Sequence, residues 1–228
     1  MEVDANYLKL LPNPVPEGRS ELLAKLLGTQ LAEAVYVINY LHRSLKLPGD
    51  VCEFGVAQGA TSALLANEIR DTDKVLWLFD SFAGLPKPTE KDTLIHDIFG
   101  LGTIEKYQGT MAYGVNEVLE RLHAISYPLS RVKIVPGFIE NTISLGDLPG
   151  RVCFAYVDFD FYEPILITLN YLNEHLSESG CVVVDDYGFF SSGAEAAVDE
   201  FVAAHPSQYD FILPEKSAGA FAILFKVA

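Results

Sequence analysis

Val51-Cys52-Glu53-Phe54-Gly55-Val56-Ala57-Gln58-Gly59 decides the fold: the apolar run Val51–Phe54 ends in a glycine turn that opens into a helical pattern over about Thr61–Ile69. A continuous apolar run marks a strand covered on both faces, as in a parallel sheet. The same unit recurs downstream. Val75–Phe79 is a second strand, and a helix around Gly114–Ala124 precedes a third, Val132–Val135. Val152–Val157 leads into a helix over Tyr162–Leu176, and Cys181–Val184 into one over Ala194–Ala204. Repeated strand–helix units predict an open, doubly wound α/β sheet. The last two strand-like runs, Tyr209–Leu213 and Ala220–Phe225, are joined by too few residues for a helix, so they predict an antiparallel hairpin. The expected sheet is seven-stranded, mostly parallel and Rossmann-like.

Upstream, Leu22, Leu23, Leu26, Leu27, Leu31, Val35, Ile38 and Leu41 recur at helical spacing and predict one amphipathic helix from about Ser20 to Ser44, with Ser20 as N-cap. Its apolar stripe either packs on the sheet or offers a face to a second copy of the chain, a homo-oligomer. Pro12, Pro14 and Pro16 predict an extended arm before it, and Pro48-Gly49 stops it. Residues 1–48 thus read as N-terminal arm and helix, and 1–228 as one domain. Ser81 to Tyr113 is a long segment rich in Gly, Pro, Thr and aromatics, which reads as a lid or binding loop.

Sixteen basic residues against thirty-one acidic ones leave a formal charge of −15. Such a surface repels phosphate backbones and anionic lipid, which argues against nucleic-acid and membrane partners. Met1-Glu2-Val3-Asp4 shows no secretory signal, and Cys52, Cys153 and Cys181 lack metal-type spacing. They read as core thiols of a reduced, cytoplasmic protein.

Ligands of open α/β sheets bind beyond the carboxyl ends of the strands. At the first strand end, Gly55 allows a tight turn and Gly59 lets a ligand approach the backbone. The spacing Gly-x-x-x-Gly behind Glu53 is not the GxGxxG of dinucleotide sites, and it suits a ligand with a cationic ammonium end. Asp80 closes the second strand, where a carboxylate can accept both hydroxyls of a ribose. Asp158 and Asp160 end the fourth strand, Asp185 and Asp186 the fifth. Carboxylates converging from adjacent strands need protons or a cation, and oxygen ligands without His or Cys favour Mg²⁺. The alternative is that these aspartates cap helices and bond backbone amides. His96, in the long segment, is a candidate proton acceptor.

Glu53-Phe54-Gly55, Asp80-Ser81-Phe82-Ala83-Gly84-Leu85-Pro86, Val135-Pro136-Gly137-Phe138, Val157-Asp158-Phe159-Asp160-Phe161-Tyr162-Glu163 and Val184-Asp185-Asp186-Tyr187 resemble the macrocin O-methyltransferase family. The resemblance runs from about Gly49 to Ala204. It implies the class I methyltransferase fold, S-adenosyl-L-methionine as cofactor, Mg²⁺, and a hydroxyl of a small-molecule acceptor, a sugar hydroxyl of a glycosylated natural product. Glu53 would then face the methionine ammonium, Asp80 and Ser81 the ribose side, and Phe138 and Ile139 the adenine. Asp158, Asp185 and Asp186 match the family's metal ligands, with Asp158 or His96 taking the proton. The same aspartates resemble the catechol-type O-methyltransferases, but Phe161 stands where those enzymes carry a lysine base. Phe159-Asp160 also departs from the Gly-Asp of the macrolide-sugar enzymes. A catalytically silent cofactor-binding module is the remaining alternative.

Overall fold

The structure is a computed structural model in which residues 9–13 and 16–227 are described. The Met1-Glu2-Val3-Asp4 opening and Pro14 of the expected arm lie outside the described residues. The elements, in order, are α1 (Arg19–Ala24), α2 (Leu31–Ser44), β1 (Asp50–Phe54), α3 (Ala60–Glu68), β2 (Leu76–Asp80), α4 (Val115–Ala124), β3 (Val132–Pro136), α5 (Ile139–Thr142), β4 (Val152–Val157), α6 (Tyr162–His175), β5 (Leu176–Val184), α7 (Ser192–Ala204), β6 (Tyr209–Ile212) and β7 (Ala222–Lys226).

One sheet has the strand order β3-β2-β1-β4-β5-β7-β6. β1 to β5 run parallel, while β7 pairs antiparallel with both β5 and β6. The expected α/β sheet with its closing hairpin is therefore present. Strand order reverses between β1 and β4, and that switch opens a crevice beyond the strand ends Phe54 and Val157. Side chains alternate across the sheet. Cys52, Phe54, Ala155, Val157, Val182 and Val184 pack under α6 and α7, and Val51, Phe154, Tyr156, Cys181 and Val183 under α2, α3 and α4.

The expected single N-terminal helix is two. α1 is only six residues long, begins after Gly18 rather than at Ser20, and is separated from α2 by Gly28, whose φ is 87°. Both pieces bury apolar residues, Leu23 from α1 with Ala34, Val35 and Ile38 from α2, against Leu64 of α3. A stripe that continues on both sides of a break keeps its period, so periodicity alone did not reveal the break. The apolar stripe of α2 packs inward, with Val37 and Leu41 fully buried against the sheet.

Residues 81–113 carry no strand of the sheet and only one 3-10 turn, Ile104–Tyr107, yet they are anchored. Tyr107 is buried against Phe190, and its hydroxyl donates to Asp97 Oδ1 at 2.7 Å. Buried Asp92 accepts from the amide of Tyr162 at 2.8 Å, satisfying a donor at the start of α6. Phe161 belongs to this cluster with Leu85, Ile104, Tyr107 and Phe190.

Cys52, Cys153 and Cys181 are free and buried, and burial pushes each thiol up from its ordinary value. Such thiols are poor nucleophiles, which agrees with their reading as core residues. No helix among the described residues is long and apolar enough to cross a membrane.

Candidate active site

Four strand ends, those of β1, β2, β4 and β5, open into one cavity of about 440 Å³. Its wall includes Glu53, Gly55, Asp80, Ser81, Phe138, Ile139, Asp158, Asp160, Asp185 and Asp186. Residues 81–113 supply Pro86, Ile98, Phe99, Met111 and Tyr113, and the α1–α2 turn supplies Leu27 and Gly28.

The β1 turn is set by close approach. Gly55 has φ 87°, and a Cβ there would lie 1.8 Å from the carbonyl oxygen of Asp158 on the neighbouring strand. Gly59 is absent from the cavity wall; a Cβ on it would meet Val118 of α4 at 3.1 Å. Its glycine serves helix packing instead of the expected approach of a ligand.

Asp80 clamps the turn from β2. Its Oδ2 accepts from the amides of Val56 at 2.7 Å and Ala57 at 3.0 Å, and its Oδ1 from that of Phe82 at 2.7 Å. A carboxylate has about four acceptor positions, so three are occupied and the expected grip on two ribose hydroxyls has one left. Ser81 is similarly engaged: its hydroxyl donates to Gly84 O at 2.8 Å and accepts from Ala83 N at 3.0 Å. Phe138 and Ile139 stand where β3 passes into α5, opposite the Gly55 turn.

Glu53 is 1% exposed and hydrogen-bonded by the Ser62 hydroxyl. Burial raises its pKa to about 8 against the lowering effect of Ser62, with the charge of Asp80 adding to the rise. Between about pH 4.5 and 8 the folded chain therefore holds a proton that the unfolded chain has released. Stability must fall as pH rises through that window, on the order of several kcal/mol for this group. Urea unfolding of the ligand-free protein across the window is expected to show this loss, and Glu53→Gln to make it smaller. Identical pH profiles for the two proteins would refute it.

On the same cavity wall, carboxylate oxygens of Asp158, Asp160 and Asp186 lie within 4.8 Å of one another. This differs from the expected ligand set. Asp185 lines the same cavity and is held by its own contacts: its Oδ1 accepts from the Asp186 amide at 2.7 Å and its Oδ2 from the Tyr156 hydroxyl at 2.9 Å. Asp160 and Asp186 both adopt left-handed backbone, φ 62° and 59°, which sets the direction of their side chains. Burial, reinforced by neighbouring negative charge, holds Asp158, Asp160 and Asp186 well above the usual carboxylate range. Desolvated, mutually repelling hard-oxygen donors without His or Cys fit a divalent cation such as Mg²⁺.

His96 is exposed, its ring 4.8 Å from that of Phe189, and it is not part of the cavity wall. Glu33, which sequence reasoning missed, arrives from α2 beneath the cluster: Tyr156 donates to its Oε1 at 3.0 Å. A signal was there, since Glu33 precedes Val37 and Leu41 at intervals of four on a buried face.

Known proteins share both sequence and architecture with this chain. The model of the family described as macrocin-O-methyltransferase matches residues 29–214. An 8-demethyl-8-(2,3-dimethoxy-alpha-L-rhamnosyl)-tetracenomycin-C 4'-O-methyltransferase of Streptomyces olivaceus is 29% identical over 62% of this chain and 54% of its own length. A mycinamicin III 3''-O-methyltransferase of Micromonospora griseorubida is 28% identical over 62% of this chain and 56% of its own. The chain thus spans just over half the length of these relatives. The structure of the O-methyltransferase NovP has TM-score 0.73 at 22% identity, covering 87% of this chain and 81% of its own. That of the calicheamicin methyltransferase CalS11 has TM-score 0.62 at 23% identity, covering 96% and 90%. These two similarities show the class I methyltransferase fold. With the family model matching most of its residues, the chain belongs to the macrocin O-methyltransferase family.

Proposed function

We propose that this protein is an S-adenosylmethionine-dependent, Mg²⁺-assisted O-methyltransferase acting on a sugar hydroxyl of a glycosylated natural product. One observation carries the reading: a single cavity whose wall holds both a buried carboxylate, Glu53, and a trio of carboxylates. S-adenosylmethionine supplies an electrophilic methyl group on a sulfonium. Glu53 binds the ammonium, the Asp80-clamped turn and Ser81 face the ribose, and Phe138 and Ile139 flank the adenine. Asp158, Asp160 and Asp186 would hold Mg²⁺, which supplies Lewis acidity that lowers the pKa of an alcohol. The chain's own contribution is alignment of the acceptor hydroxyl, exclusion of water by the aromatic wall, and proton removal. Asp158, on the cavity wall, takes the proton in preference to His96, whose ring stands outside it.

Charge and polarity narrow the acceptor. Acidic residues line the cavity with no Lys, Arg or His among the described residues, and Ile98, Phe99 and Phe189 expose apolar surface at it. This favours an uncharged glycoside with an apolar aglycone over a sugar still attached to a nucleoside diphosphate. The test is methyl transfer from labelled cofactor to a panel of neutral glycosides, nucleoside-diphosphate sugars and catechols, with EDTA and with Mg²⁺ restored. Transfer to glycosides, falling tenfold or more in EDTA and recovering with Mg²⁺, is expected. Undiminished turnover in EDTA removes the metal. Transfer only to catechols replaces the sugar by a phenol, and absence of cofactor binding by calorimetry ends the reading.

A further inference from the structure

Glu33 is only 2% exposed, on a helix whose neighbouring buried positions, Val37 and Leu41, are apolar. A carboxyl in such a place is costly unless its oxygens are satisfied. Its partners come from the centre of the sheet. The Tyr156 hydroxyl lies 3.0 Å from Glu33 Oε1 and 2.9 Å from Asp185 Oδ2, so it bridges the two carboxyls. Tyr156 has one proton and can donate it to only one of the two carboxyls at a time, and its hydroxyl oxygen links the two.

The chain of contacts reaches the cavity at both ends. Thr29 Oγ1 stands 3.4 Å from the Tyr156 hydroxyl and 2.9 Å from Thr61 Oγ1, and Thr61 lines the cavity beside Leu27 and Gly28. At the other end Asp185 Oδ1 accepts from the amide of Asp186, inside the left-handed turn that aims Asp186 at Asp158 and Asp160. Left-handed backbone in a residue other than glycine persists only where its surroundings hold it.

We infer that Glu33 is a positioning residue of the carboxylate trio: through Tyr156 it fixes the orientation of Asp185, and Asp185 in turn holds the turn that presents Asp186. The inference rests on the trio being a divalent-cation site. Without Glu33, Asp185 loses its restraint and the Asp186 turn loosens, so cation affinity falls. Glutamine keeps the shape and an acceptor for the Tyr156 hydroxyl; leucine keeps the volume and loses that hydrogen bond.

Calorimetric titration with MgCl₂ alone, in the absence of cofactor and acceptor, separates the outcomes. Wild type is expected to bind one ion, Glu33→Gln to stay within about threefold, and Glu33→Leu to weaken at least tenfold while its thermal midpoint holds. A role in packing alone would move the midpoint and leave the Mg²⁺ affinity untouched. Tyr156→Phe, which removes a single oxygen, is the second variant should Glu33→Leu not fold; a weakening of threefold or more is expected. Wild-type affinity in Glu33→Leu, or in Tyr156→Phe where the leucine variant does not fold, overturns the positioning role. A wild type that binds no Mg²⁺ overturns the cation site itself and the inference with it, a different and recognisable result.

Discussion

Gly55→Ala is expected to lose cofactor binding entirely and most of the folded population. The added Cβ would lie 1.8 Å from Asp158 O and 2.6 Å from Asp158 C, in a residue with φ 87°. Neither strand can withdraw cheaply. The Gly55 amide donates to Phe79 O at 2.9 Å, and the Asp158 amide to Phe54 O at 2.7 Å, so the clash sits inside the parallel ladder. Left-handed backbone alone costs an L residue roughly 1–2 kcal/mol. Displacing paired backbone adds to that and brings the total to several kcal/mol, a large part of the ~5–15 kcal/mol that holds a domain together. Gly28→Ala is the control, with φ 87° and nothing within 4 Å of its Cβ. It should lose only about 1–2 kcal/mol by urea unfolding. Equal losses in the two variants would mean that the β1–β4 contact does not constrain the turn.

Arg19→Met is the second large effect, far from the cavity. The guanidinium of Arg19 and the carboxylate of Glu68 are both fully buried and joined by two hydrogen bonds, Nε to Oε1 and Nη2 to Oε2. His42 approaches Glu68 Oε2 at 2.7 Å, and Arg19 Nη1 donates to Pro12 O at 2.8 Å. The group ties α1 to α2 and α3. Removing one partner strands a buried charge, which costs about 3–5 kcal/mol, whereas replacing both by apolar residues is often neutral. Thermal unfolding should therefore show a drop on the order of 10 °C for Arg19→Met. Most of it should return in Arg19→Met combined with Glu68→Leu. A single variant as stable as wild type would show that α1 is docked by its leucines alone. Because Leu27 and Gly28 wall the cavity just after α1, the single variant should also bind cofactor more weakly.

The architecture was legible along the chain because its signals are local. Apolar runs too short for helices, glycine turns after them and a helical period between them define βα units wherever they occur, and the Pro214–Gly219 connection is too short for anything but a hairpin. Placing Glu53, Asp80, Asp158 and Asp186 at one crevice also followed from sequence, since parallel strands present their carboxyl ends together. Tertiary structure alone decided how those groups are used. Asp80 is largely occupied by backbone amides, and Gly59 answers to Val118. Oxygens of Asp158, Asp160 and Asp186 come within 4.8 Å of one another, while Asp185 is held by the Tyr156 hydroxyl and the Asp186 amide. Glu33 reaches the site from a helix more than a hundred residues away in sequence; its spacing to Val37 and Leu41 marks it as inward-facing, but not which group it meets. Element type and strand-end position are properties of a few consecutive residues, and so were readable. The direction of a carboxylate and the company it keeps depend on contacts between distant segments, which exist only once the sheet and its helices have closed around them.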